Sequence, residues 1–470
     1  MKPKDVRLFD LNFSGTAVIT DQGAEIQYPE LADFADAFAR GMPSRSLVFC
    51  LTENSLGSLV GYVGCLRNRH VPLMIDKKLD KLLLRRFIEL YSPAFIWTPK
   101  SRAEELPGEL VFEKHGYSLL RMSDSLHYQM DDRLALLLTT SGSTGSPKLV
   151  RQSYLNIAAN TQSIIEYLAL DASERPITTL PMNYTYGLSV INTHLSCGGT
   201  LLLTDHSLID REFWDFFNKY QATSIAGVPY TYEMLERFMF FRRRLPSLKT
   251  MTQAGGKILP VLHEKFARYA KENQKKFVVM YGQCEATARM SYLPPDRALD
   301  KVGSMGIAIP GGKLRLVDET GVDVTDVDTV GELVYEGENV TLGYAESGAD
   351  LCKGDERNGV LHTGDMAKRD SEGFFFVVGR KKRFLKMFGN RVNLDETERL
   401  IKSRFMGLDC ACSGVDDLMK VYITDHGKAD EVRDFVASVT HLNFSAIKVM
   451  YLAEIPKNNS GKPLYAKLEV

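Results

Sequence analysis

The sequence has 470 residues, 44% hydrophobic and 25% charged, with 58 Lys and Arg against 59 Asp and Glu for a net charge of −1. At roughly 150 residues per domain this length holds about three folding units, each with material for its own core. A near-neutral chain has no whole-molecule field to hold a polyanion, which argues against a dedicated nucleic-acid binder, and 24 Phe, 20 Tyr and 2 Trp exclude wholesale disorder.

The seven cysteines are sparse and odd in number, with only Cys410 and Cys412 close together, so a reducing compartment fits better than a disulfide framework. The start, MKPKDVRLFDLNFSG, lacks the apolar segment of a signal peptide, and the runs LVGYVGCL and LALLL are too short for a membrane span. The expectation is a soluble cytoplasmic protein.

Along the first third, SLVFCL (46–51), VPLMI (71–75) and AFIWT (94–98) read as strands separated by the helical stretches ENSLGSLVGYVGCLRNRH and KLDKLLLRRFIELYS. This alternation predicts parallel βαβ units. The middle repeats the pattern: strand TLLLT, helix REFWDFFNKYQ, strand TSIAGVP, helix TYEMLERFMFFRRRL, helix LHEKFARYAKENQKK and strand FVVMYG. Beyond residue 290 Gly and Pro become dense, and KLRLVD, GELVYEG and GFFFVVG predict a largely antiparallel β segment. The cationic run GRKKRFLK (379–386) then opens a small α+β unit.

The strongest chemical feature is LLLTTSGSTGSPKLV (136–150), an apolar strand running into a Gly/Ser/Thr loop that ends in Lys148. Glycines let backbone approach a ligand closely, hydroxyls and N–H groups cradle phosphate oxygens, and the lysine adds a point charge. It is not a Walker A loop, because Pro147 stands where that motif needs glycine.

This stretch resembles the phosphate loop of the adenylate-forming superfamily, which includes acyl-CoA synthetases, firefly luciferase and peptide synthetase adenylation domains. Further elements follow in the family's order: MYGQCEA (280–286) resembles YGxTE, GELVYEGENVTLGY (331–344) resembles GELxxxGxxxxxGY, and LHTGD (361–365) matches TGD. GRKKRFLKMFGNRVNLDETE (379–398) resembles the hinge segment and IPKNNSGKP (455–463) the terminal lysine element.

The resemblance implies a multidomain α/β fold. A large N-terminal domain, residues 1–380, would hold two βαβ-type subdomains and a β-barrel-like one; residues 381–470 would form a small mobile α+β lid. It also implies a two-step reaction. A carboxylate attacks ATP to give an acyl-adenylate and pyrophosphate, and a thiol then takes the acyl group and releases AMP. ATP, Mg²⁺ and CoA are the implied cofactors, with the phosphopantetheine of an acyl carrier protein as the alternative acceptor. A monomer or homodimer is expected, and a nucleotide-binding pseudoenzyme is the alternative from another class.

On this reading Lys148 and the loop residues Thr140, Ser141, Gly142, Ser143, Thr144 and Gly145 hold the β- and γ-phosphates, and Glu285 ligates Mg²⁺. Tyr281 packs on adenine opposite Gly255 and Gly256, beside Gly282; Asp365 accepts from the ribose hydroxyls, and Arg380 binds the same ribose or the phosphate. Lys462 reaches the reacting carboxylate and α-phosphate, the chain swings at Lys382, and Lys386 is presented by the lid's second face. Tyr184, Thr185, Tyr186, Val228 and Tyr230 line the acid pocket.

Some positions depart from the family pattern. Cys284 stands where a threonine donates to the α-phosphate, and a thiol is the weaker donor. Leu149 replaces a glycine, Tyr154 a common histidine, Arg383 an acid and Leu394 a proline, and Tyr184 takes the aromatic gate position. Thr185 falls where amino-acid-activating members carry an aspartate, which disfavours an α-amino acid, because a buried ammonium needs a counter-charge. A neutral-chain or hydroxylated acid, polar or aromatic, is expected instead.

Overall fold

The computed structural model describes residues 6, 8–42, 44–123, 125–126, 128–139, 148–387, 390–440, 442–457 and 463–468. Its first sheet has eight strands, with Leu47–Thr52, Val71–Asp76 and Leu134–Thr139 parallel at the centre. These strands are almost wholly buried, which is why they read as unbroken apolar runs rather than alternating ones. The helix Leu56–Arg67 packs on this sheet so closely that a Cβ on Gly61 would meet the ring of Trp97, on the neighbouring strand Phe95–Pro99, at 2.3 Å.

The second sheet has nine strands, and its parallel centre includes Ser224–Gly227, Thr250–Gln253 and Lys276–Tyr281. The two sheets interlock. Thr16–Thr20, from the start of the chain, pairs in the second sheet with Leu201–Leu203. Gly343–Ala345 crosses the other way and completes the edge of the first sheet against Leu149–Ser153.

One predicted helix is broken. TYEMLERFMFFRRRL forms the helix Pro229–Arg237, then Met239 turns left-handed at φ 57° before a single 3₁₀ turn, Phe240–Arg242. The break returns Phe240 to the core, its ring 5.6 Å from Phe266 and 6.3 Å from Trp214, and leaves Phe238 and Met239 exposed.

The expected barrel-like part is a four-stranded antiparallel sheet, Lys313–Val317, Gly331–Glu336, Val360–Arg369 and Phe375–Arg380. After Arg380 come the hairpin strands Phe384–Met387 and Asn390–Asn393, the helix Leu394–Arg404, and a three-stranded sheet covered by the helix Ala429–Thr440. Leu385, Ile401, Val421 and Val436 give this unit its own core. Among the described residues no helix is long and apolar enough to cross a membrane.

Candidate active site

In open α/β sheets ligands collect at the C-terminal ends of the parallel strands, and here Lys276–Tyr281 ends in the YGxTE-like element. The strand Leu134–Thr139 leads to the expected phosphate loop, but residues 140–147 lie outside the described residues, as does Lys462. Beyond the loop, Lys148 Nζ lies 4.0 Å from the centre of the Tyr344 ring and 3.5 Å from Glu346. The Tyr344 hydroxyl donates to Glu285 Oε1 at 2.8 Å. Tyr344 therefore joins the loop lysine to the expected metal ligand, although the sequence assigned it no role.

Glu285 is half-buried, and its backbone carbonyl accepts from Thr341 N at 3.0 Å and from Arg357 Nη1 at 3.2 Å. One carboxylate beside a lysine suits Mg²⁺ held jointly with phosphate oxygens, because that ion keeps most of its shell in water and substrate.

Tyr281 and Asp365 meet directly: the tyrosine hydroxyl donates to Asp365 Oδ2 at 2.5 Å. Gln283 Nε2 donates to the same oxygen at 2.9 Å and to the Thr363 carbonyl at 3.1 Å, and Arg380 Nε stands 3.5 Å from Oδ1. Burial raises the Asp365 carboxyl above its usual range, opposed by these donors and by the Arg380 charge. Gln283, the variable position of the motif, is a second residue the sequence reading missed.

A buried network fixes the segment between these groups. Thr287 adopts φ 67° and donates to the Asn339 carbonyl at 2.7 Å, while Asn339 Nδ2 donates to the carbonyls of Ala286 and Arg289. Gln152 donates to the carbonyls of Cys284 and Thr287. A Cβ on Gly282 would lie 1.8 Å from the Ala288 oxygen, so only glycine fits there.

Around the expected acid pocket, Tyr184 and Tyr186 sit 6.3 Å apart, centre to centre, in one apolar cluster with Val228 and Ala254. Gly255 has φ +82° and abuts the Tyr184 hydroxyl; Gly256 faces Pro229. Thr185 donates its hydroxyl to the Thr287 carbonyl. Tyr230 stands apart from these walls, half exposed, with Lys457 Nζ 6.0 Å from its ring.

Lys457 begins the segment that carries Lys462, and it pairs with Asp409 at 2.6 Å. The chain passes into the small unit after Arg380. Lys381 pairs with Glu332 at 2.8 Å, and Asn393 Nδ2 donates to the Val378 carbonyl. Side chains of Lys382 and Lys386 lie outside the described residues. Arg383, which replaces an acid, has its charge met twice, by Asp395 at 2.8 Å and Glu398 at 2.5 Å, with the Tyr465 ring 3.8 Å away.

Two interlocked α/β sheets, an antiparallel sheet and a small C-terminal unit are the architecture of adenylate-forming enzymes. The o-succinylbenzoate CoA synthetase of Bacillus subtilis, solved with AMP, superimposes with a TM-score of 0.80 at 21% identity, covering 97% of this chain and 95% of that one. The chain belongs to the AMP-binding enzyme family, whose sequence model matches residues 12–345.

A probable CoA ligase of Humulus lupulus is 28% identical over 345 residues, 70% of this chain and 62% of that protein. The indoleacetate–CoA ligase of Aromatoleum aromaticum is 33% identical over 271 residues, 57% of this chain and 51% of that one. The chain thus spans between half and two thirds of the length of these curated relatives.

Proposed function

We propose that this protein is an AMP-forming acid–thiol ligase: it joins a carboxylic acid to the α-phosphate of ATP, releases pyrophosphate, and passes the acyl group to the thiol of CoA, releasing AMP. The observation that carries this reading is the chain Lys148–Tyr344–Glu285, a cation and a carboxylate tied to one aromatic. Family membership and the CoA ligases among the relatives support it.

The first half-reaction brings two anions together, so positioning and charge neutralisation dominate its barrier. Lys148 offsets phosphate charge. Glu285 would hold Mg²⁺, which supplies Lewis-acid neutralisation of the phosphates. Asp365, aligned by Tyr281 and Gln283, would take the ribose hydroxyls in exchange for part of its present hydrogen bonding. Residues 381–470 act as the lid, which in this reaction would carry Lys462 to the reacting carboxylate. Free cysteines throughout fit a cytoplasmic site of action.

ATP–pyrophosphate exchange over an acid panel, with mass-spectrometric detection of adenylates and CoA thioesters, tests the reading; ATP binding without exchange for any acid would defeat it. Lys462→Ala is expected to lose adenylate formation while still transferring acyl groups from supplied adenylate. Survival of both halves would remove the role given to Lys462.

A further inference from the structure

The wall around Tyr186 contains a cation that the reaction above does not use. Arg289 is 3% exposed, and its guanidinium carbon lies 4.9 Å from the centre of the Tyr186 ring. Nη1 donates to the Tyr167 hydroxyl at 3.2 Å and to the Met280 sulfur at 3.4 Å, both neutral acceptors. Nε has no hydrogen-bond partner, and among the described residues no carboxylate pairs with this side chain.

Arg151, the other fully buried arginine among the described residues, behaves differently. It pairs with Glu356 at 2.6 Å and donates to the carbonyls of Tyr344, Lys353, Gly354 and Leu342. A charge removed from water is costly unless an opposite charge meets it. Arg151 follows that rule within the chain, and Arg289 does not.

Two further buried polar atoms, on the helices that carry Tyr167 and Tyr186, lack partners. Ser163 Oγ lies one helical turn before Tyr167 on the helix Tyr154–Leu168, and His194 Nε2 lies two turns after Tyr186 on the helix Thr185–Ser196. His194 supplies no counter-charge. Burial holds it neutral, with a pKa of about 4, and its Nδ1 faces the Val190 carbonyl at 2.8 Å.

We infer that Arg289 receives a second carboxylate on the substrate, so that the acids activated here are dicarboxylic: one carboxylate reacts at the nucleotide and the other forms a forked ion pair with Arg289. This rests on the acid-activating reading above and replaces the neutral-chain acid expected from the sequence. A planar guanidinium matches a carboxylate with two parallel N–H···O bonds, and the Tyr167 hydroxyl lies beside it.

The test compares linear diacids, their half-methyl esters and monoacids of equal length in ATP–pyrophosphate exchange with the full-length protein. A diacid is expected to exceed its half-ester in kcat/KM by at least about 100-fold, since a site built to bond a polar group rejects the analogue lacking it. In Arg289→Met that ratio collapses toward one, and Arg289→Lys retains part of it. Half-esters or monoacids matching diacids in the wild type would overturn the proposal, and so would an unchanged ratio in Arg289→Met. The wild-type series decides alone if the variant does not fold. Calorimetric titration with the same diacids separates this inference from the broader reading. Saturable binding lost in Arg289→Met, with no exchange for any acid, keeps the subsite and removes the activation chemistry; binding equal in both proteins, or absent from both, removes the subsite.

Discussion

Glu285 and Cys284 are adjacent, and they test different parts of the site. Glu285→Gln keeps the Tyr344 hydrogen bond but removes the charge. It is expected to lower exchange by about 100- to 1,000-fold, the usual effect of deleting one group that neutralises developing charge, and to raise the Mg²⁺ concentration needed for half-maximal rate. A variant with unaltered Mg²⁺ dependence would show that the ion is held elsewhere. Cys284→Thr restores a hydroxyl donor in place of a thiol, so exchange should rise several-fold, read as kcat at saturating ATP; a fall would mean that the pocket is shaped around sulfur. Lys148, Glu285, Asp365 and Arg380 could be named from the sequence because the phosphate, metal and ribose roles proposed for them would each demand a side chain of one type within a recognisable motif. Tyr344, Gln283 and Asn339 were not. Their part is a hydrogen bond to a segment distant in sequence, 59 residues for Tyr344 to Glu285, and motif spacing carries no trace of such a bond.

Among the elements, the segment joining the two units is where a departure from the family pattern is compensated. Arg383 sits between Asp395 and Glu398 on the helix Leu394–Arg404, and burial alone would weaken its charge, but Glu398, Tyr465 and Asp395 outweigh that and keep it protonated. Arg383→Ala removes the direct ion-pair partner of the buried Glu398 and is expected to destabilise the C-terminal unit by about 3 kcal/mol. Chemical denaturation followed by hydrogen exchange on that unit measures it, and a loss spread evenly over both units would contradict the assignment. Strand positions were legible wherever a run is buried on both faces, as in Leu47–Thr52 and Lys276–Tyr281. The break at Met239 was not legible, because the periodicity of the preceding helix runs on through two phenylalanines, and only the demand for Phe240 in the core interrupts it.

At the scale of the molecule, two buried histidines lower stability on mild acidification. His70 and His194 are both buried, and desolvation lowers each to about 4 from the ordinary 6.5, aided at His70 by Arg45. Between those values the unfolded chain binds protons that the folded chain refuses. The stability they contribute is complete above pH 6.5 and shrinks as pH falls toward 4, by up to about 1.4 kcal/mol per pH unit for each ring. Guanidinium unfolding midpoints at about pH 7 and about pH 5 check this, and equal midpoints would mean that the rings are not held neutral. The net charge of −1 gave no hint of such behaviour, since a sum over residues says nothing about which of them are buried. The interlocking of the two sheets also fixes an order in time. The strand Leu149–Ser153 leaves the ribosome roughly 190 residues before Gly343–Ala345, its edge partner, and at about 5–20 residues per second it waits on the order of 10–40 seconds with one side unpaired. A nascent chain that stops short of residue 343 carries that open edge permanently, and open edges recruit other strands.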